Sequence, residues 1–486
     1  MCLDERKEEK SRARTRINGP RGPGLGAGTG YARGHFGPTY GPHRAVRPQP
    51  KQPQSRQNQQ PQRDEQLQHW FRALALILKG ASSYTAMLNL MKMSLLGQVM
   101  EELLRNDSIS DCSERAALYA TFLTALEAIA LNPQLVGFYI SPRDEIECTD
   151  GLEKIFLGFG QLVKKTDCAS SSRRPGSGID EGIAPSLLEV MENLCKQAKA
   201  FYKTVGKVSV TSADPTIVNS INLCKSILGV RMLLESTAQR SGPLNAVPIS
   251  QQVDESDVYR IACANLAYDE FPPSVTVPYH FTKLSESLMT VNPRRTITLA
   301  KELSTMATCL PPGIFVRNIP NRPDCIKALV AGAEGTPYYG GLFEFDIFAP
   351  ENYPAAPPKV QLVTTANGKV RFNPNLYAYH PTFQGHNDRD GKVCLSLIGT
   401  WHGSPEEQWQ PYKSTIMQIL ISIQSMLLCA RPYFNEPGMG VPSDSASSLG
   451  YNQNARLQVI RVAICDWMTT NNAKSPWKAS SLNIIN

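Results

Sequence analysis

Gly335-Thr336-Pro337-Tyr338-Tyr339-Gly340-Gly341, then Leu342-Phe343-Glu344-Phe345-Asp346-Ile347-Phe348, then Tyr353-Pro354-Ala355-Ala356-Pro357-Pro358-Lys359-Val360, is the stretch whose reading decides the fold. Its glycines and prolines mark turns. Between them Phe343, Phe345 and Ile347 alternate with Glu344 and Asp346, the period of a half-buried strand. Val360–Thr364 has the composition of the next strand. Upstream, Asn292-Pro293 reads as an N-cap and first helical residue, with the helix running to about Cys309 and ending at Pro311-Pro312. Downstream, Ile416, Ile419, Leu420, Ile423 and Leu427 share one helical face, and so do Leu457, Ile460, Ile464 and Trp467. The fold class expected for residues 292–486 is α+β.

Farther upstream the texture is helical, over residues 64–240. Met87, Leu88, Leu90, Met91, Leu95, Val99 and Leu103 recur at three- and four-residue steps. A second helix is expected from Asp111, with Glu114 at capping-box spacing, through Leu118, Phe122, Leu126 and Ile129. Pro185 opens a third and Asp214-Pro215 a fourth. Ala169–Ser177 reads as a flexible link. The whole region is expected to be all-helical and holds no catalytic constellation. Residues 241–291, with five prolines, read as a connector.

The net charge of +7 over 486 residues is misplaced if read as an average. Residues 1–63 hold 13 Lys/Arg against 4 Asp/Glu, together with 9 Gly, 8 Pro and 7 Gln. Such a segment cannot bury enough apolar surface to order itself, so a disordered basic tail is expected. A tail of this charge can touch RNA or acidic surfaces without sequence preference, but the plainer reading is a solvated arm and no nucleic-acid partner is expected. The start of the chain is charged where a secretory signal is apolar, and no apolar run reaches the roughly 20 residues of a membrane span. The 12 cysteines form no C-x-x-C pair. Free thiols in a reducing compartment follow, in the cytoplasm or also the nucleus, with no metal site.

The quoted stretch continues into Arg371-Phe372-Asn373-Pro374-Asn375 and Gly391-Lys392-Val393-Cys394-Leu395. Four motifs in this order over about a hundred residues resemble the ubiquitin-conjugating enzyme family. There a GTPY-x-GG turn, a YP-x-x-PP segment and an HPN tripeptide precede the active-site cysteine. Thr400-Trp401-His402-Gly403-Ser404-Pro405-Glu406-Glu407 and Pro432-Tyr433-Phe434-Asn435-Glu436-Pro437-Gly438 narrow the likeness. They resemble the enlarged C-terminal conjugating domain of the giant baculoviral-IAP-repeat class, which joins conjugating and ligase activity in one chain. That closer likeness is expected over roughly residues 255–486, behind a different N-terminus.

The resemblance implies a ubiquitin-conjugating fold, an antiparallel sheet flanked by helices. It implies an enzyme that takes ubiquitin from the activating enzyme as a Cys394 thioester and passes it to a substrate lysine. No cofactor is implied, since ATP is consumed by the upstream activating enzyme. The chemistry agrees. A thiolate is both strong nucleophile and good leaving group, so the carrier needs one accessible cysteine. Transfer passes through an oxyanion, and the Asn375 amide is a neutral donor for it. Glu436 stands where the family usually has an acidic residue that helps the incoming lysine lose its proton. Arg294, Arg295 and Lys301 lie where family members dock the activating enzyme. Lys392 could favour the thiolate, although a solvated lysine is the simpler reading. His380, His386 and His402 lack the ligand spacing for zinc or a Cys-His pair.

The departures are as informative. Asn373 replaces the family's histidine, whose role is mainly to shape the loop. Residues 380–390 are an insertion between Asn375 and Cys394, and 400–407 a second one after the cysteine. Ala355 stands where many members carry an aromatic contact for RING-type ligases, and Tyr412 replaces a small residue there. Both reduce the expected dependence on a separate ligase, although a ligase partner stays open. The alternative function is a non-catalytic conjugating-enzyme-like scaffold that binds ubiquitin or a ligase.

Overall fold

The computed structural model of the chain describes residues 60–80, 84–106, 108–149, 162–164, 183–205, 215–240, 255–288, 292–376, 391–468 and 477. The Ala169–Ser177 link, the 380–390 insertion with His380 and His386, and nearly all of the basic tail lie outside them. The first helix, Gln60–Gly80, begins four residues before the boundary expected at Asp64. Arg115 holds that start by a two-pronged pair with Asp64, Nε to Oδ2 at 2.7 Å and Nη2 to Oδ1 at 2.9 Å.

Local caps explain where the helices break. The periodic stretch 87–103 is two helices, Tyr84–Met93 and Leu96–Leu104. Ser94 separates them, its hydroxyl donating to the Met91 carbonyl at 2.8 Å and accepting from the Leu96 N–H at 3.3 Å. The second expected helix starts at Ile109, not Asp111, because Ser108 is the cap that accepts from the Asp111 N–H, and it is two helices, Ile109–Glu114 and Ala116–Ala130, broken at Arg115. After Pro185, Ser186 and Glu189 form a reciprocal capping box that opens Leu187–Val205. The fourth expected helix runs Pro215–Arg240. Phe122, Leu126, Leu187, Met191, Phe201, Cys224 and Ile227 are among the buried residues that join these helices in one core.

The region is not all-helical as expected. Two short antiparallel pairs interrupt it: β1 (Arg143–Asp144) with β4 (Ile183–Ala184), and β2 (Ile146–Thr149) with β3 (Leu162–Lys164). Ile217–Arg240 is also long and apolar enough, by length and composition, to cross a membrane, which the reading of apolar runs missed. Its Leu223, Cys224, Ile227 and Leu234 are instead buried in the helical core.

The five-stranded sheet has the order β5 (Tyr268–Glu270), β6 (Ile314–Ile319), β7 (Arg322–Ala331), β8 (Leu342–Phe348), β9 (Lys359–Leu362). Neighbours are antiparallel except β5, which runs parallel to β6 with Tyr268 opposite Val316. Residues 241–291 are therefore more than a connector: they supply an edge strand, and the sheet begins before residue 292. Together with Trp477 they also cover the sheet's second face. Phe271 and Trp477 pack with Phe315, Leu329 and Leu342, while Tyr279 and Phe281 pack with Cys325 and Phe348.

That cover corrects the reading of β8 as half-buried. Asp346 is 1% exposed, as is Lys327 opposite it on β7. The Lys327 ammonium donates to Asp346 Oδ1 at 2.6 Å and Glu344 Oε1 at 2.5 Å. Burial works against the ammonium, but the two carboxylates outweigh it and hold its pKa above the ordinary lysine value.

On the first face, Leu299, Leu303 and Met306 of the helix Pro293–Cys309 pack with Phe343, Phe345, Ile347, Ile416, Ile419 and Ile423. Asn292 caps that helix by accepting from the Arg294 and Arg295 N–H groups. Glu302 anchors it, accepting from the Tyr353 hydroxyl and, at 2.8 Å, from the Ile416 N–H. The helix Ile416–Ser422 starts there with a Thr415/Gln418 capping box. Near the C-terminus, Val459, Val462, Ala463 and Trp467 are buried, whereas Leu457 and Ile460 of the expected face are exposed. A π-helical segment, Val459–Cys465, shifts the buried face by its wider turn.

Candidate active site

Four sequence motifs meet around one turn. Tyr338, fully buried, donates its hydroxyl to the Phe372 carbonyl at 2.7 Å and accepts from Asn373 Nδ2 at 3.3 Å. Asn373 is fully buried too, and its amide is used at both ends. Nδ2 also donates to the Leu427 carbonyl at 2.8 Å, and Oδ1 accepts from the Asn375 N–H at 2.8 Å. An amide can do here what a loop-shaping residue must, because it offers a donor and an acceptor in one plane.

Asn375 and Cys394 are brought together. The Cys394 N–H donates to the Asn375 carbonyl at 2.8 Å, and Asn375 Nδ2 donates back to the Cys394 carbonyl at 3.0 Å. An amide nitrogen carries two hydrogens, so one is spent on this bond and one can serve an oxyanion. Gly391 sets the approach, with φ +77° and its carbonyl accepting from the Leu362 N–H at 2.7 Å. A Cβ there would lie 2.0 Å from the Leu362 carbonyl oxygen, so only glycine fits. Thr400 clips the far side of the turn, its hydroxyl donating to the Val393 carbonyl at 2.8 Å and accepting from the Leu395 N–H at 3.0 Å.

Two expectations need correction. Cys394 is 3% exposed, where a carrier thiol was expected to be accessible. Arg295 is 7% exposed and paired with Asp324 at 3.1 Å, with Nη1 on the Ala349 carbonyl at 3.4 Å, so it serves the fold and not a docking surface. Arg294 is exposed and Lys301 half-buried. Lys392 is exposed as the simpler reading expected. His402 is exposed, and no His/Cys/Asp/Glu group among the described residues could hold a metal.

Glu436 follows the 3-10 turn Pro432–Asn435 and is half-buried. Two residues that the sequence reading did not single out tie it to the Asn375 turn. Asn435 Nδ2 donates to Asn373 Oδ1 at 3.3 Å. Arg371 Nη2 donates to the Pro374 carbonyl at 2.6 Å and to Glu436 Oε2 at 3.5 Å. Both residues lie inside the quoted motifs, but nothing in their spacing shows that they face each other. Ala355 and Tyr412 are exposed, the latter by 79% and at φ +64°. Just past the second insertion, Trp409 Nε1 donates to the Pro354 carbonyl at 2.9 Å.

Residues 298–446 match the family described as ubiquitin-conjugating enzyme. The chain is 31% identical over 409 residues to the human "Dual E2 ubiquitin-conjugating enzyme/E3 ubiquitin-protein ligase BIRC6", a match covering 79% of this chain and 8% of that protein. It is 32% identical over 377 residues to a Caenorhabditis elegans "Probable ubiquitin-conjugating enzyme protein 17", covering 74% and 47%. An Arabidopsis thaliana "Probable ubiquitin-conjugating enzyme E2 26" is 34% identical over 279 residues, covering 56% and 48%. The chain thus spans a small part of the human protein and about half the length of the other two. A match over 79% of the chain cannot fit within residues 255–486, so the likeness reaches into the helical region, contrary to the expectation of a different N-terminus. With its α+β sheet, its motifs in order and this match, the segment 298–446 is a domain of the ubiquitin-conjugating enzyme family.

Proposed function

We propose that the chain is a ubiquitin-conjugating enzyme whose carrier is Cys394. The Cys394 thiolate attacks the thioester carbonyl that joins ubiquitin to the activating enzyme, and the activating enzyme's thiolate leaves. A substrate lysine amine then attacks the new thioester, gives up a proton, and expels the Cys394 thiolate as the isopeptide bond forms. Asn375 donates to the oxyanion in both steps, and Glu436 orients the amine or takes its proton. No cofactor is needed, since the activating enzyme consumes the ATP. The reading places the protein in the cytoplasm or nucleus, where free thiols persist. One observation supports it above the others: paired hydrogen bonds join the Asn375 carbonyl and side-chain amide to the backbone of Cys394, within the segment that matches the family.

A finer reading is that the chain also acts as a ligase. Ala355 offers no aromatic anchor to a RING partner, and the exposed Tyr412 adds bulk where one would approach. The helical region supplies a second surface beside the domain. The alternative, a non-catalytic scaffold, is favoured by one fact, the 3% exposure of Cys394.

The deciding reaction contains full-length protein, activating enzyme, ATP and ubiquitin, resolved with and without reductant. A reducible adduct is expected in the wild type, a reductant-resistant one in Cys394→Ser and none in Cys394→Ala. An adduct that survives Cys394→Ala would move the nucleophile elsewhere, and no adduct in the wild type would leave the scaffold. Autoubiquitination without added ligase tests the ligase half.

A further inference from the structure

The site holds a bridge that the reading above does not use. Arg371 Nη2 carries two hydrogens and has two acceptors, the Pro374 carbonyl at 2.6 Å and Glu436 Oε2 at 3.5 Å. Pro374 precedes Asn375, the oxyanion donor, and Glu436 is the acidic group. Asn435, next to Glu436, makes the parallel link from its Nδ2 to Asn373 Oδ1 at 3.3 Å, and holds the Met426 carbonyl at 3.0 Å. Two side-chain bridges therefore join the segment before Asn375 to the segment before and at Glu436. The Arg371 side chain is 45% exposed and that of Glu436 42%, so the pair adds little to stability, as surface ion pairs do. Its consequence is directional: a guanidinium holds a carboxylate in one orientation better than solvent can.

We propose that Arg371 is a positioning residue for the second half-reaction. It holds the Glu436 carboxylate in fixed relation to the Asn375 turn, so that acceptor orientation and oxyanion donation are set together when the lysine amine attacks. The first half-reaction brings an activating-enzyme thiolate as leaving group and has no amine to orient; it needs only the Asn375 donor, which Asn373 Oδ1 and the Cys394 backbone hold without Arg371, so it does not depend on this bridge. The inference rests on the proposed function and goes beyond it by separating the two steps.

The test uses full-length protein charged with ubiquitin, then chased with free lysine over a range of concentrations and pH after the activating enzyme is stopped. Arg371→Ala is expected to charge within about twofold of wild type and to discharge about tenfold more slowly at saturating lysine, with its pH profile altered. Arg371→Lys, which offers a point charge in place of the fork, should recover part of that loss and serves where the alanine variant folds poorly. In a Glu436→Ala background, Arg371→Ala should add nothing further. Wild-type discharge by Arg371→Ala, or an equal loss with and without Glu436, overturns the inference while leaving the function standing. So does a charging defect as large as the discharge defect. Absence of charging in the wild type overturns the function, and the inference with it.

Discussion

Gln197 Nε2 donates to Thr308 Oγ1 at 2.6 Å, joining a helix of the helical region to the first helix of the conjugating domain. On the same side, Ala300 of that helix is fully buried in the helical core. The helical region is thus packed against the domain and not tethered beside it. A fragment of residues 255–486 should therefore unfold at a lower temperature than the same domain in the full chain. Each kcal/mol lost is expected to lower Tm by about 2–4 °C for a domain of this size. Ala300→Asp in the full chain should uncouple the two parts. Calorimetry checks both, and equal melting of fragment and full chain would show that the contact is idle.

Glu302 gives the fold a pH dependence of definite sign. Burial raises its pKa from 4.5 to about 7, against the lowering effect of the Tyr353 hydroxyl and the Ile416 N–H. The folded state binds this proton more tightly than the unfolded chain, so its contribution is fully present below about pH 4.5 and lost as pH rises through 7. Glu302→Gln keeps the shape without the charge. Urea unfolding at pH 5, 6, 7 and 8 should show the variant overtaking wild type with rising pH, by up to the order of 3 kcal/mol. Parallel curves would remove Glu302 as the source.

Gly391 and Gly399 separate two costs that are usually confused. Both have positive φ, +77° and +69°. A Cβ at Gly391 meets the Leu362 carbonyl oxygen, whereas at Gly399 nothing lies within 4 Å. Gly399→Ala should lose about 1 kcal/mol from the backbone alone. Gly391→Ala should lose roughly 2–4 kcal/mol and displace the Cys394 turn as well. Chemical denaturation measures the first difference, and the rate of ubiquitin charging the second.

Arg294 and Arg295 are neighbours with different duties. Reversing the accessible pair, Arg294→Glu with Lys301→Glu, should slow charging by the activating enzyme and flatten its salt dependence, with Tm little changed. Arg295→Glu should instead place a carboxylate against Asp324 and cost about 3–5 kcal/mol of stability. Melting curves and charging rates at low and high salt distinguish them. A charging rate untouched by the first pair would place the docking surface elsewhere.

Much of the conjugating fold was readable because its signals are local. Asn292-Pro293 declares a helix start by its own chemistry, and Phe343, Phe345 and Ile347 declare a strand. The cap at Ser108 was equally local but lost to Asp111, since Glu114 offered a competing capping-box spacing. What could not be read was long-range. β5 looks like three polar residues in a proline-rich connector, and only its pairing with β6 makes it a strand. The second face of the sheet reads as solvent-facing because its side chains are charged, yet Asp346 and Lys327 satisfy each other beneath a cover drawn from residues 271–281. At the site, Cys394 and Asn375 were named from motifs, while Arg371 and Asn435 matter through contacts more than sixty residues apart in the chain.

The covered sheet changes how a mutational scan of this protein would sort its positions. Arg317 is 2% exposed, with Nη1 on the Leu266 carbonyl at 2.9 Å and its guanidinium carbon 5.9 Å from the centre of the Trp477 ring. Asp324, Lys327 and Asp346 are equally enclosed. In a library read out by abundance, these four polar positions would fall among the least tolerant, beside Phe343 and Ile347, while Leu457 and Ile460 would accept polar residues freely. Hydropathy would rank the four against Leu457 and Ile460 the other way round.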